Sequence, residues 1–114
     1  MKLAKKNHKK VEKAKRVVIL GAGEVGSFIS QHLSTSGYNV LLIDNEENRI
    51  FETSEHADVA TIICNGCNPE IYIKIKLNPN DLFIAVTDSD ETNLVACKLA
   101  AAFGCITKIA RVRK

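Results

Sequence analysis

The chain has no tryptophan, two tyrosines and four phenylalanines among its 114 residues. So little aromatic surface argues against the stacking platforms that hold single-stranded nucleic acid. No apolar run approaches the ~20 residues that a membrane-spanning helix requires. The basic first residues lack the apolar stretch of a secretory signal, so a cytoplasmic protein is expected. Nothing points to secretion, so the four cysteines (Cys64, Cys67, Cys97 and Cys105) are expected as thiols rather than structural disulfides.

What is present suits one domain with a hydrophobic core, and the length is too short for two. The formal charge of +3 conceals an uneven distribution. Residues 1–16 hold eight of the sixteen basic side chains and one acid, Glu12, so this end carries +7 and the remainder −4. A solvated basic extension is therefore expected over residues 1–15, with the domain proper over 16–114.

From Arg16 onward, apolar runs alternate with helical patterns. Val17–Leu20, Val40–Ile43, Val59–Ile63, Leu82–Val86 and Ile106–Val112 read as five strands. Val25, Phe28, Ile29 and Leu33 recur at helical spacing, and Gly37 supplies a stop. Asn45 is placed to cap a second helix with Ile50 and Phe51 as its apolar contacts. Pro69 suits the first turn of a short helix. A further helix should open at Asp88–Glu91 and end near Phe103 before Gly104. Such β-α repetition predicts a Rossmann-like α/β fold, a doubly wound parallel sheet of about five strands with helices on both faces. The chain stops at Lys114 directly after a strand, so it is expected to be one lobe of something longer.

Between the first strand and first helix stands Gly21-Ala22-Gly23-Glu24-Val25-Gly26, a G-x-G-x-x-G turn. The pattern alone is weak, but here it has a buried strand before it, a helix after it and an acid closing the next strand. Gly21 permits the tight turn, Gly23 leaves room for a pyrophosphate, and Gly26 lets helix and strand approach. The helix N-terminus offers N–H groups and a partial positive charge. Glu24 carries charge near the expected phosphates and should point outward. Asp44 lies eighteen residues beyond Gly26. A carboxylate there accepts from ribose hydroxyls and repels a 2′-phosphate, which favours NAD or an adenosine nucleotide over NADP.

Residues 85–97 read Ala-Val-Thr-Asp-Ser-Asp-Glu-Thr-Asn-Leu-Val-Ala-Cys. With the glycine turn, and with Ile109-Ala110-Arg111-Val112-Arg113 as the closing strand, this closely resembles the TrkA-N family. That family is the nucleotide-binding lobe of RCK domains, which regulate potassium conductance. The resemblance covers about residues 16–113. It implies binding of NAD(H), ATP, ADP or AMP, with nucleotide exchange changing the state of a homo-oligomer, a dimer or ring. It also implies a membrane potassium transporter or channel subunit as partner, reached from the cytoplasmic face, with no nucleic acid involved. On the matching positions it implies a phosphate turn at Gly21, Gly23 and Gly26, flanked by Ala22, Glu24 and Val25. A ribose acid falls at Asp44 beside Asn45, and a loop closing on the ligand at Thr87 and Asp88. Arg111 matches a basic residue able to reach phosphate, and a guanidinium can bond two oxygens at once. The acids at Asp88, Asp90 and Glu91 would repel phosphate, so this loop should face a sugar or base.

One segment departs from the family pattern. Relatives show Gly-Asp-Ala-Thr after the third strand, whereas Cys64-Asn65-Gly66-Cys67 stands here. Asn65 replaces an acid that resembles an adenine-side contact, and an amide both donates and accepts. The Cys64-x-x-Cys67 spacing can form a reversible disulfide, but it follows a third strand rather than opening a thioredoxin-type helix. Two cysteines are too few for structural zinc, so no metal site is expected. His32 and His56 have no evident partner acid or nucleophile, and no catalytic residue is assigned. The expected function is a nucleotide-sensing regulatory lobe. The rivals are the cofactor half of an NAD-dependent oxidoreductase, for whose substrate portion the chain has no room, and a self-associating structural lobe.

Overall fold

Side-chain alternation along the short apolar central strands builds two separate cores, one on each face of a single sheet. The structure is a computed structural model in which residues 15–113 are described. The expected basic extension therefore lies, apart from Lys15, outside the described residues. Strands β1 (Arg16–Leu20), β2 (Asn39–Asp44), β3 (Ala60–Ile63), β4 (Leu82–Ala85) and β5 (Thr107–Ala110) pair in parallel in the order β3-β2-β1-β4-β5. Parallel neighbours need crossovers. Four helices supply them: α1 (Glu24–Thr35), α2 (Glu47–Ser54), α3 (Pro69–Lys74) and α4 (Asp90–Ala102).

Successive strand residues face opposite sides. Val17, Ile19, Val40, Leu42 and Ile84 meet Ile50 of α2 and the half-buried Ile29 and Leu33 of α1. Val18, Leu20, Leu41, Ile43 and Phe83 meet Ile71 and Tyr72 of α3 and Ala96 and Ala100 of α4. The expected doubly wound sheet is therefore present, with α1 and α2 on one face and α3 and α4 on the other. β3 and β5 are the edge strands, shorter than the sequence pattern suggests and largely exposed.

Three local expectations need correction. Asn45 does not cap α2: Glu46 occupies the cap position without a side-chain bond, and Asp44 Oδ1 accepts from Glu46 N–H at 2.7 Å instead. An Asp bonding two residues ahead does the capping from outside the helix. Phe51 is 54% exposed while Ile50 is buried, because neighbours on a helix stand 100° apart and cannot both face the sheet. Thr53 takes the inward place beside Ile50, and its hydroxyl bonds Ser27 at 2.9 Å. On α1, Gly26 and Ser30 are the buried residues, whereas Val25 and Phe28 face outward. Small residues there let the helix lie against the strands.

At the sheet edge from which β1 and β4 start, Arg16 grips the buried Asp81 in a forked pair of 3.1 Å and 2.5 Å. Its remaining donors reach the carbonyls of Ile75 (2.9 Å) and Lys76 (3.3 Å). Asp81 also accepts from Asn78 N–H at 3.0 Å. Removing the carboxylate strands a half-buried cation and a backbone donor. Asp81→Ala should therefore lose about 2–3 kcal/mol in urea unfolding. An unchanged midpoint would show that the pair contributes nothing.

Candidate functional site

All five strands run the same way, so their C-terminal ends share one edge. Helices leave β1 and β4 toward opposite faces, and the loops diverge between these two strands, which is where ligands settle in such sheets. The turn after β1 is wedged there. Gly21 has φ +113°, its N–H donates to Ile43 O at 2.8 Å, and a Cβ on it would lie 3.0 Å from Thr87 N and Val86 O. A Cβ on Gly26 would lie 1.7 Å from Gly21 O. These two glycines are demanded by the protein's own packing.

Gly23 is different. Its φ is −73°, a value open to any residue, and a Cβ on it would meet nothing within 4 Å. Packing gives no reason for glycine at this position, although glycine is among the types favoured at a helix N-cap. Gly23 also caps α1 without any side-chain bond, so the first N–H groups of α1 receive no cap from it. Glu24 and Val25 are exposed on the rim, and Ala22 is buried.

Asp44 ties this turn to its surroundings. The residue is 5% exposed, and its Oδ2 accepts from Ala22 N–H at 2.7 Å while Oδ1 holds Glu46 N–H. A carboxylate has about four acceptor positions, so this one retains capacity for further donors.

The opposite wall is organised by a residue that the sequence reading did not single out. Asn93 on α4 is fully buried, and its Oδ1 accepts from Thr87 N–H (2.8 Å) and the Thr87 hydroxyl (2.7 Å). Its Nδ2 donates to Thr87 O (3.1 Å) and Arg111 O (2.9 Å). Ser89, not Asp88, caps α4 by accepting from Thr92 N–H at 3.1 Å. Asp88 is an exposed acid between two arginines, 3.4 Å from Arg111 and 4.0 Å from Arg49. Arg49, the second residue missed, also pairs with Glu46 at 3.3 Å. Its only signal in sequence is its position, one turn into the helix that follows Asp44.

Between these walls lies a cleft of about 260 Å³. Leu20 comes from β1, Asp44 and Asn45 from the end of β2, and Arg49 from α2; the loop after β3 contributes Cys64, Asn65 and Gly66; the β4 side contributes Thr87, Asp88, Ser89 and Thr92. Asp44, Asn45, Asn65, Gly66, Thr87 and Asp88, all singled out in the sequence, line this one cleft. Gly21, Ala22, Gly23, Glu24, Val25 and Gly26 form the neighbouring turn. Arg111 does not line the cleft: it donates to Thr87 O at 2.8 Å, and its Nε is buried without a partner. Among the described residues no histidine lines the cleft, and His32 stacks edge-on against Phe28 on α1. Burial pushes the thiols of Cys64, Cys97 and Cys105 above their usual range, partly offset by Lys74 at Cys64 and Lys108 at the other two, so all three are poor nucleophiles. Among the described residues no group of three acids, histidines or cysteines is placed to hold a metal ion.

A five-stranded parallel sheet with a glycine turn after β1 and a carboxylate closing β2 defines a lobe of the Rossmann-like class. Within that class the chain belongs to the TrkA-N domain family, whose model matches residues 17–114. It is 35% identical over 99 residues to the Trk system potassium uptake protein TrkA of Halomonas elongata. That match takes in 86% of this chain and 22% of the relative, so the chain spans a minor part of such a protein. Among solved structures it resembles the TrkA-N domain of inner membrane protein ybaL from Escherichia coli, with a TM-score of 0.54 at 18% identity over 85% of this chain and 87% of that one. It also resembles the Shewanella denitrificans Kef CTD in AMP bound form, with a TM-score of 0.64 at 18% identity over 77% and 52% of the two chains. At those identities the likeness establishes the fold.

The glycines give a direct test. Gly26→Ala forces a backbone collision and should destabilise by about 2 kcal/mol or more in urea unfolding. Gly23→Ala loses only an N-cap preference and should cost about 1 kcal/mol or less, well below Gly26→Ala. Equal destabilisation by both would mean that Gly23, too, is required by packing.

Proposed function

We propose that this lobe senses a nucleotide and transmits its identity to a membrane potassium transporter or channel subunit, performing no chemistry itself. The observation that carries the reading is Gly23, a glycine with ordinary backbone angles and open space where its side chain would be. Space kept clear beside a helix N-terminus suits an anionic phosphate. NAD(H) is the expected ligand, with ATP, ADP or AMP as alternatives. Its phosphates would meet the N–H groups from Gly23 to Gly26 at the start of α1, and its ribose hydroxyls would donate to Asp44. Asn45, Asn65 and Gly66 would flank the sugar and base, with Thr87 and Asp88 closing from the β4 side. Arg111 would reach phosphate only by releasing Thr87 O. Arg49 is already paired with Glu46 and near Asp88, so it leaves Asp44 as the dominant charge and disfavours a 2′-phosphate.

The names of the relatives support potassium uptake as the context, and the AMP-bound Kef domain supports a nucleotide in this fold. No helix among the described residues is long and apolar enough to cross a membrane. We place the lobe on the cytoplasmic side, within a dimer or larger homo-oligomer of a longer protein. Regulation would be a population shift, limited to the ligand's differential affinity for two arrangements.

Thermal unfolding with NADH, NAD, ATP, ADP, AMP and NADPH tests this directly. At a hundred times its dissociation constant, a ligand should add ~2.7 kcal/mol. NADPH should do less than NADH, and Gly23→Ala should abolish the shift while lowering the ligand-free midpoint far less than Gly26→Ala. No shift with any of the six would overturn the reading.

A further inference from the structure

Of the asparagines in the chain, only Asn65 is followed by glycine. Packing fixes that glycine. A Cβ on Gly66 would lie 2.4 Å from both methyl carbons of Leu20, so this wall of the cleft admits no side chain there. An asparagine carries an electrophile, its amide carbon Cγ, next to a nucleophile, the following backbone nitrogen. The two close a five-membered ring when they bond. With no Cβ on Gly66, nothing on the neighbouring residue obstructs their approach.

The loop also supplies what this ring closure needs. Asn65 is exposed, so its amide nitrogen can leave to solvent. Its Oδ1 accepts from Cys67 N–H at 2.9 Å, which folds the amide over the Gly66 peptide. The same N–H is in place for the negative charge that Oδ1 gains when nitrogen attacks Cγ, as in an oxyanion hole. Asn65 O accepts from Asn68 N–H at 3.1 Å. That bond draws electron density from the Asn65–Gly66 peptide and makes its N–H more acidic. Among the described residues the Gly66 N–H donates to no group, so no bond has to break to free the nucleophile. Reacting groups already held together react faster than groups that must find each other.

We propose that Asn65 and Gly66 form a self-modification site through which the cleft changes its own charge. The Gly66 nitrogen bonds Cγ, the Cγ–Nδ2 bond breaks, and the proton from Gly66 N–H leaves with the amide nitrogen as ammonia. Water then opens the resulting succinimide at one of its two carbonyls. The product at position 65 is aspartate or isoaspartate. In sum, one amide and one water become one carboxylate and one ammonium ion, and nothing is oxidised or reduced. The new carboxylate joins Asp44 and Asp88 in the cleft. The site does not depend on which ligand the cleft takes.

The test incubates the folded protein at mildly alkaline pH and reads the mass gain of amide-to-acid conversion at each asparagine by peptide mass spectrometry. Asn65 should convert at least about tenfold faster than any other asparagine of the chain. Backbone fragmentation should show isoaspartate among the products, which marks the succinimide route. Conversion in the folded protein should equal or exceed that in the guanidinium-unfolded chain, because folding supplies the Cys67 donor. Asn65→Gln has to close a larger ring and should remove the modified species. Slower conversion when folded than when unfolded, a product without isoaspartate, or the same mass gain in Asn65→Gln overturns the proposal.

Discussion

The carboxylate of Asp44 accepts from Ala22 N–H and Glu46 N–H, and its backbone carbonyl accepts from Cys64 N–H at 3.0 Å. One residue therefore joins the turn after β1, the start of α2 and the exit from β3. The cleft exists because these three loops hold their places. An ionised acceptor facing two N–H groups makes stronger bonds than a neutral one, and burial strengthens them further. The same residue is the proposed acceptor for ribose hydroxyls. Scaffold and recognition coincide in it, so its removal would damage both and distinguish neither.

The second wall repeats the device with a neutral side chain. Asn93 takes all its bonds from Thr87 and Arg111, residues that enter from β4 and β5. A buried amide is tolerable only when its donors and acceptors are met, and here each of them is. The consequence is that Thr87 has little freedom: its N–H, hydroxyl and carbonyl are all committed. Arg111 shares that Thr87 carbonyl and the exposed Asp88. The β4 wall is thus a fully bonded block with an exposed charge, Asp88, at its rim between two cations.

Much of this was legible in the sequence. Four-residue apolar cores mark strands whatever their partners, and G-x-G-x-x-G followed by an acid at the end of the next strand is a local signature read within thirty residues. What escaped depends on three-dimensional neighbours. Asn93 looks like one polar residue in a helix until β5 delivers Arg111 O to it from eighteen positions away. Arg49 matters because Asp88, thirty-nine residues on, stands across the cleft from it. Asn45 appeared to be the cap because it is the commoner capping type at the nearer position, but Asp44 already faced the turn and served both. Phe28 and Phe51 match an apolar pattern yet stay exposed, since Gly26, Ser30 and Thr53 claim the inward positions.

The three glycines show how a motif can be divided by cause. Gly21 needs glycine for its positive φ and its closeness to Val86 and Thr87; Gly26 needs it because Gly21 O fills the place of a Cβ. Both would be glycine in any protein with this strand-turn-helix packing, whether or not a ligand ever bound. Their presence therefore reports the fold and is silent on function. Gly23 satisfies neither condition: its angles are ordinary and its surroundings empty. Its N-cap place favours glycine over alanine but admits Ser, Asp or Asn equally well, so the space kept clear of any side chain suits a cause outside the chain. An object approaching closer than a methyl group would allow is such a cause, and a phosphate against the N-terminus of α1 is the object that the charge and open N–H groups favour.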